Sequence, residues 1–238
     1  DSRYLAPNST DGSTTGVVLD GRPRLDRCDT LGSRRMEPRA FAESWITGGM
    51  SMEPALIILG RFQPFHNGHA SMVNAAMSFL SVGDSDLPLR ICIGSSQAEQ
   101  SLDNPWAAEE REQMIRAWLD GRDVEIVQVP DLGDPPNYVR HAEKFHGPPG
   151  AIFTTDKPTS ELYRAADWAV VYGNLTQRDD WQGWRIRATM QMLSTVMEEE
   201  AAIAALCVNM PEAVVRLIFE NGWQRRLFHM GTGGEPVG

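Results

Sequence analysis

Five short apolar runs punctuate the chain beyond residue 52: Ala55–Leu59, Leu89–Ile93, Val124–Val129, Ala151–Thr154 and Trp168–Tyr172. Ala55–Leu59 is apolar without alternation, the pattern of a strand covered on both faces of a parallel sheet. Between the runs the period changes. Met72, Ala76 and Leu80 recur every four residues, and Met114, Ile115, Trp118 and Leu119 form a second stripe, so both segments predict amphipathic helices. Strands that alternate with helices in this way predict an α/β domain on an open parallel sheet with right-handed crossovers. After about residue 184 the pattern is helical to the end, with Pro211 at a helix start and Asn221-Gly222 at its stop.

The first fifty residues do not share this order. They are rich in Ser, Thr, Gly, Asp, Arg and Pro, and apart from Val17-Val18-Leu19 they show neither period. We expect a disordered or non-native leader over residues 1–52, a folded domain over 53–230 and a flexible tail over 231–238. A passive tail, or translated sequence upstream of a start at Met50 or Met52, is favoured over a regulatory or targeting arm. Residues 1–50 hold seven basic and seven acidic side chains, so the whole net charge of −10 falls on residues 51–238. That balance repels a phosphate backbone and argues against nucleic-acid binding. No apolar stretch approaches the ~20 residues of a bilayer span, and the N-terminus lacks the apolar core of a signal peptide. Three cysteines, Cys28, Cys92 and Cys207, give neither a disulfide framework nor metal-ligand spacing, and a cytoplasmic location is expected.

The most informative segment is Gly60-Arg61-Phe62-Gln63-Pro64-Phe65-His66-Asn67-Gly68-His69, between the first predicted strand and the first predicted helix. Ligands of open α/β sheets bind beyond the carboxyl ends of the strands, where a helix N-terminus offers free N–H groups to phosphate. Gly60 lets the backbone approach a ligand and Pro64 stiffens the turn. His66 and His69, three residues apart, share one helix face and can reach a single phosphate group.

This segment resembles the His-x-Gly-His signature of the nucleotidylyltransferase superfamily, and its longer form is similar to the archaeal-type nicotinamide-mononucleotide adenylyltransferases. Ile93-Gly94-Ser95-Ser96-Gln97, Leu102-Asp103-Asn104-Pro105-Trp106 and Glu110-Arg111 resemble further elements of that family in order and spacing. So do Tyr138-Val139-Arg140-His141, the stretch Arg178-Asp179 with Gly183, Ile186 and Arg187, and Met210–Val215. The family's closing Ser-Gly-Thr-x-Ile/Val-Arg motif departs here to Gln182-Gly183-Trp184-Arg185-Ile186-Arg187. Trp184 in place of Thr either obstructs the phosphate pocket or turns away, leaving backbone N–H groups to bind.

The resemblance implies a Rossmann-like nucleotidylyltransferase fold with a C-terminal helical part, and transfer of AMP from ATP to nicotinamide mononucleotide to give NAD and pyrophosphate. It implies His66, His69, Arg187 and Arg61 as catalytic groups. ATP would meet Gly60, Arg61, Phe62, His66, His69, Arg178, Gly183 and Arg187, and the acceptor would meet Phe62, Gln63, Ser95, Asn104 and Tyr138. Mg²⁺ is expected on the ATP phosphates with no dedicated protein site, and a homo-oligomer, a hexamer in relatives, is implied. Two alternatives stay open: another phosphate acceptor for adenylyl or cytidylyl transfer, and a nucleotide-binding homologue impaired by Trp184. Arg111 is divided equally between anchoring a helix start and touching substrate. His141, His146 and His229 are read as solvated or satisfied in the core, Glu198–Glu200 as a solvated helix start, and Trp106, Trp118, Trp168, Trp181 and Trp223 as packing residues.

Overall fold

The computed structural model describes residues 52–83, 86–173 and 181–231. The predicted leader up to residue 51 and the predicted tail from residue 232 lie outside the described residues.

Five parallel strands, β1 (Leu56–Gly60), β2 (Leu89–Ile93), β3 (Glu125–Gln128), β4 (Ala151–Thr154) and β5 (Ala169–Tyr172), form one sheet in the order β3-β2-β1-β4-β5. Each predicted strand is found to within a residue at either end. Central β1 pairs with β2 along its whole length and with β4 through Leu56 and Ile57. Both of its faces are covered, which is why its sequence is a continuous apolar run: Leu56 and Ile58 enter the core on one side of the sheet, Ala55 and Ile57 that on the other. Helices α1 (Asn67–Val82) and α2 (Ala108–Leu119) bring Met72, Ala76, Met114, Ile115 and Leu119 to the first core. Helices α3 (Tyr138–His146) and α4 (Lys157–Ala165) bring Val139, Ala142 and Tyr163 to the second. There His146 accepts at Nε2 from the Tyr163 hydroxyl at 3.0 Å and donates from Nδ1 to the Gly147 carbonyl, a buried histidine satisfied as the sequence predicts.

The C-terminal part is helical: α5 (Gly183–Leu193), α6 (Glu199–Cys207), α7 (Glu212–Glu220) and α8 (Gln224–Gly231). Pro211 immediately precedes α7, Asn221 ends it and Gly222 takes the left-handed φ of 67° that such a stop favours. Helix α7 packs on α2, and α8 on α5. From α8, Arg226 forms a two-pronged ion pair with Glu110 at 2.5 and 2.7 Å and donates to the Pro105 carbonyl at 2.8 Å. Val208 and Asn209 accept from the side chain and backbone N–H of Asn67, the first residue of α1. The helical part therefore holds both the start of α1 and the loop before α2. No helix among the described residues is long and apolar enough to cross a membrane.

The order of strands reverses between β1 and β4, so the crevice between their carboxyl ends is where a ligand is expected. Its floor rests on a tight fit at the other end of the same pair. A Cβ on Gly150 would lie 2.4 Å from the Ala55 carbonyl oxygen, which itself accepts from Ala151 N–H. Gly150→Ala is expected to wedge β1 from β4 and cost about 2–3 kcal/mol, read as a lowered denaturant midpoint at unchanged m-value. An unshifted midpoint would show that the pair tolerates the wedge.

Candidate active site

The loop from Gly60 to His66 leaves β1 and delivers α1. A Cβ on Gly60 would stand 3.0 Å from the Phe62 ring, so any side chain there requires the ring to give way. Phe62 takes a left-handed φ of 53°, and its ring, 1% exposed, packs edge-on beneath His69 with centroids 4.8 Å apart. The Gln63–Pro64 bond is cis. The Gln63 amide donates to the Trp106 carbonyl at 2.8 Å and accepts from the Trp106 N–H at 3.2 Å, so both of its ends are engaged. This side chain, predicted at the acceptor, braces the loop.

His66 is the N-cap of α1, and its Nδ1 accepts from Gly68 N–H at 3.1 Å. His69 Nδ1 accepts from the backbone N–H of His66 at 3.3 Å. The two imidazoles stack with centroids 3.7 Å apart and planes 25° off parallel. With each Nδ1 acting as acceptor, the proton of each neutral ring sits on Nε2, which makes both rings donors. Burial pushes His66 down to about 4, while burial and then the neighbouring His66 charge push His69 well below the ordinary 6.5, against a backbone hydrogen bond at Pro64. The pair is thus neutral at pH 7, with an Nε2–H donor on each ring.

Beneath the loop lies Arg111, 1% exposed. Its guanidinium donates to the carbonyls of Arg61 and Gly94 at 2.8 Å, Ser95 at 3.1 Å and Ala107 at 3.3 Å. Burial lowers it to about 10, still charged at neutral pH. Of the two roles expected for it, the structure gives the anchoring one, extended from the helix start to the ends of both β1 and β2.

Two clefts meet at the histidines, and a third adjoins both. The first, about 240 Å³, is lined by Arg61, Phe62, Gln63, His66, His69, Gly183, Trp184 and Arg187. Arg187 donates to the Gln63 carbonyl at 2.8 Å and pairs with Asp103 at 3.2 Å. Gly183 opens α5 where a Cβ would stand 3.0 Å from the Gln63 carbonyl. Trp184, although it lines this cleft, is 56% exposed, and its indole donates to Gln182 Oε1 at 2.5 Å. The second cleft, about 220 Å³, shares both histidines and adds Thr154, Thr155, Asp156, Thr159 and Trp181. Trp181, expected to be a packing residue, is instead a wall of this cleft.

The third and largest, about 500 Å³, shares Leu59, Gly60 and Thr159 with the second and Arg61 with the first. Ser95 and Tyr138, expected at the acceptor, line it, Ser95 at a left-handed φ of 50°. So do Asp131, Gly133 and Asp134, which carry no motif and were not singled out from the sequence. Asn104, predicted at the acceptor, lines none of the three clefts: its backbone turns on Ser101 and its Oδ1 is buried inside the loop. Arg178 lies outside the described residues. His141 bonds the Pro130 carbonyl at 3.0 Å, consistent with its satisfied role. Among the described residues no group of three His, Cys, Asp or Glu stands close enough to hold a metal ion.

A parallel sheet whose β1 loop presents two cap-bonded histidines to a cleft at the strand-order reversal defines an α/β nucleotide-transfer fold. The chain belongs to the cytidylyltransferase-like family, whose model matches residues 57–213. Among its relatives, a nicotinamide-nucleotide adenylyltransferase of Picrophilus torridus is 33% identical over 136 residues, which cover 56% of this chain and 77% of that protein. That of Ignicoccus hospitalis is 31% identical over 173 residues, covering 71% and 92%. A solved bifunctional NMN adenylyltransferase/ADP ribose pyrophosphatase from Francisella tularensis aligns with a TM-score of 0.48 at 20% identity, covering 78% of this chain and 58% of that one.

The depressed histidines carry a sign. In the folded protein His66 resists protonation down to about 4, whereas in the unfolded chain it protonates near 6.5, so the unfolded state binds more protons in that interval. The stability that the neutral ring contributes is complete above pH 6.5 and is lost as pH falls towards 4. His66→Asn keeps a good cap and removes the titration. The denaturant midpoint of this variant is expected to fall less steeply than that of the parent between pH 6.5 and 4; parallel curves would refute the assignment.

Proposed function

We propose that this chain transfers the AMP moiety of ATP to the 5′-phosphate of nicotinamide mononucleotide, giving NAD and pyrophosphate. The observation that carries the reading is the stacked His66–His69 pair, shared by a cleft that holds Arg61 and Arg187 and joined through Gly60 to a larger one that holds Tyr138 and Ser95. The relatives named above support it.

In this reading an acceptor phosphate oxygen forms a bond to the α-phosphorus of ATP while the bond to the β-phosphate oxygen breaks, and pyrophosphate leaves with that electron pair. The acceptor is already an anion, so no general base is needed, and catalysis consists of positioning and charge stabilisation. The Nε2–H groups of His66 and His69 donate to the α-phosphate oxygens, and the approaching phosphates favour protonation of rings that burial keeps neutral in their absence. Arg187 and Arg61 hold the β- and γ-phosphates, joined by the backbone N–H groups that open α5 at Gly183 and Trp184. Arg61 is exposed and has no carboxylate partner among the described residues, whereas Arg187 must exchange Asp103 for phosphate. The Tyr138 ring and Ser95 receive the nicotinamide ribosyl group in a cleft of the size usual for small-molecule sites. Mg²⁺ enters as part of the nucleotide substrate, bound by phosphate oxygens and water.

The test is chromatographic detection of NAD from ATP, nicotinamide mononucleotide and Mg²⁺. The parent is expected to form NAD and His69→Ala to lose ~10²–10³ in rate, the usual cost of one preorganised donor. A parent that adenylylates another phosphate but not this one would overturn the acceptor assignment. Because Trp184 is more than half exposed, Trp184→Thr is expected to change kcat by no more than about twofold, the size of an ordinary surface effect. A large gain would show instead that the indole obstructs the pocket.

A further inference from the structure

Arg187, placed above at the phosphate end of the site, is fixed at two points that lead to one loop. Its guanidinium donates to the Gln63 carbonyl at 2.8 Å and pairs with Asp103 at 3.2 Å. Asp103 belongs to the loop before α2, and Gln63 is tied to the same loop, since its side-chain amide bonds both backbone groups of Trp106. The direction of the guanidinium therefore follows the position of residues 103–106.

A pair of charges pins that loop. Glu110 accepts from the Ala107 N–H at 2.9 Å, and Arg226 of α8 holds both Glu110 oxygens while donating to the Pro105 carbonyl at 2.8 Å. The residues on either side of Trp106 are thus bonded to one ion pair, whose side chains are only 24% and 17% exposed. The loop needs that hold. Among the described residues, the buried side-chain atoms without a hydrogen-bond partner are Asn104 Oδ1, Trp106 Nε1 and Gln224 Oε1, two of them on this loop and the third two residues before Arg226. Unpaired polar groups in the interior favour any rearrangement that pairs them, and the clamp opposes one that would carry Trp106 and Gln63 away.

We propose that Arg226 is a positioning residue for the nucleotide: by clamping Pro105 and Glu110 it holds the loop, through Trp106 and Gln63, where Arg187 faces the triphosphate. The inference rests on the function proposed above, which sets Arg187 on the β- and γ-phosphates, and deepens it. Arg226 lies beyond residue 213, where the family model ends, so the family pattern gives it no role. Its helix also packs on α5, which carries Arg187, so one element supports the guanidinium from behind and fixes the loop in front of it. Misplacing a binding group by about 1 Å can cost up to ~10² in rate, and a fault passed through two intervening residues is expected to cost about tenfold.

The experiment measures the dissociation constant of Mg²⁺–ATP by calorimetric titration without acceptor, and KM for both substrates in NAD formation, on the full chain. The variants are Arg226→Met, Arg226→Lys, Arg187→Ala and the double variant of Arg187→Ala with Arg226→Met. Arg226→Met is expected to weaken ATP about tenfold and to leave KM for nicotinamide mononucleotide within about twofold of the parent. Arg226→Lys keeps the charge but cannot serve the carbonyl and both carboxylate oxygens together, and should weaken ATP about threefold. In the Arg187→Ala background Arg226→Met should change ATP affinity by less than about twofold, because the residue acts through Arg187. A lowered thermal midpoint with unchanged ATP affinity, or losses that multiply in the double variant, would overturn the proposal and leave Arg226 a structural brace. Should Arg226→Met not fold, Arg226→Lys carries the same comparisons. A parent that binds ATP but forms no NAD would overturn the proposed function alone, since the ATP constants still decide the role of Arg226; a parent that binds no ATP would overturn both.

Discussion

A charged guanidinium buried beneath the loop that follows β1, bonded to carbonyl groups and, among the described residues, to no carboxylate, is the constraint around which the site is arranged. The carbonyls of Arg61, Gly94 and Ser95 belong to the turns that leave β1 and β2, and such groups left without a donor in the interior are costly. Arg111 supplies the donors from the first turn of α2 and so draws the two turns onto one point. With their carbonyls directed inward, the turns can present side chains and N–H groups outward. Lysine could not replace it, having one point of charge where the fork serves four acceptors.

How much of this could be read from the chain depends on how local the cause is. A strand buried on both faces must be apolar throughout, and a helix on a sheet must carry a stripe, so the strands, α1 and α2 were evident from the residues that build them. The paired histidines were legible because cap, donor and phosphate-facing ring all lie within four residues. Arg111 could not be decided, since three of its four acceptors are fixed only by the pairing of β1 with β2. Gln63 and Asn104 were assigned to the acceptor from a family pattern, whereas the Gln63 amide is bonded at both ends to the Trp106 backbone and Asn104 lines none of the three clefts. Asp131 and Asp134 sit in a loop whose composition, acidic and rich in Gly and Pro, is that of any solvated turn. Only their place at the mouth of the cleft distinguishes them.

The pocket is divided by chemistry as well as by shape. Where the phosphates are expected, the groups are donors: two imidazoles, two guanidiniums and the start of a helix. At the other end are acceptors and an aromatic ring. A molecule with an anionic head and a cationic ring matches that polarity in one orientation only, which serves positioning better than any single strong contact.

The contacts that complete the phosphate end all reach far along the chain. Arg187 meets Gln63 from 124 residues away, Arg226 meets Glu110 from 116, and Asn209 meets Asn67 at the start of α1 from 142. Long-range closures of this kind form late, after the locally paired elements have lowered their entropic cost. In a chain made from its N-terminus, the sheet and the paired histidines can therefore exist before the site is finished. Competence to hold a nucleotide would be the last property the protein acquires as it is synthesised.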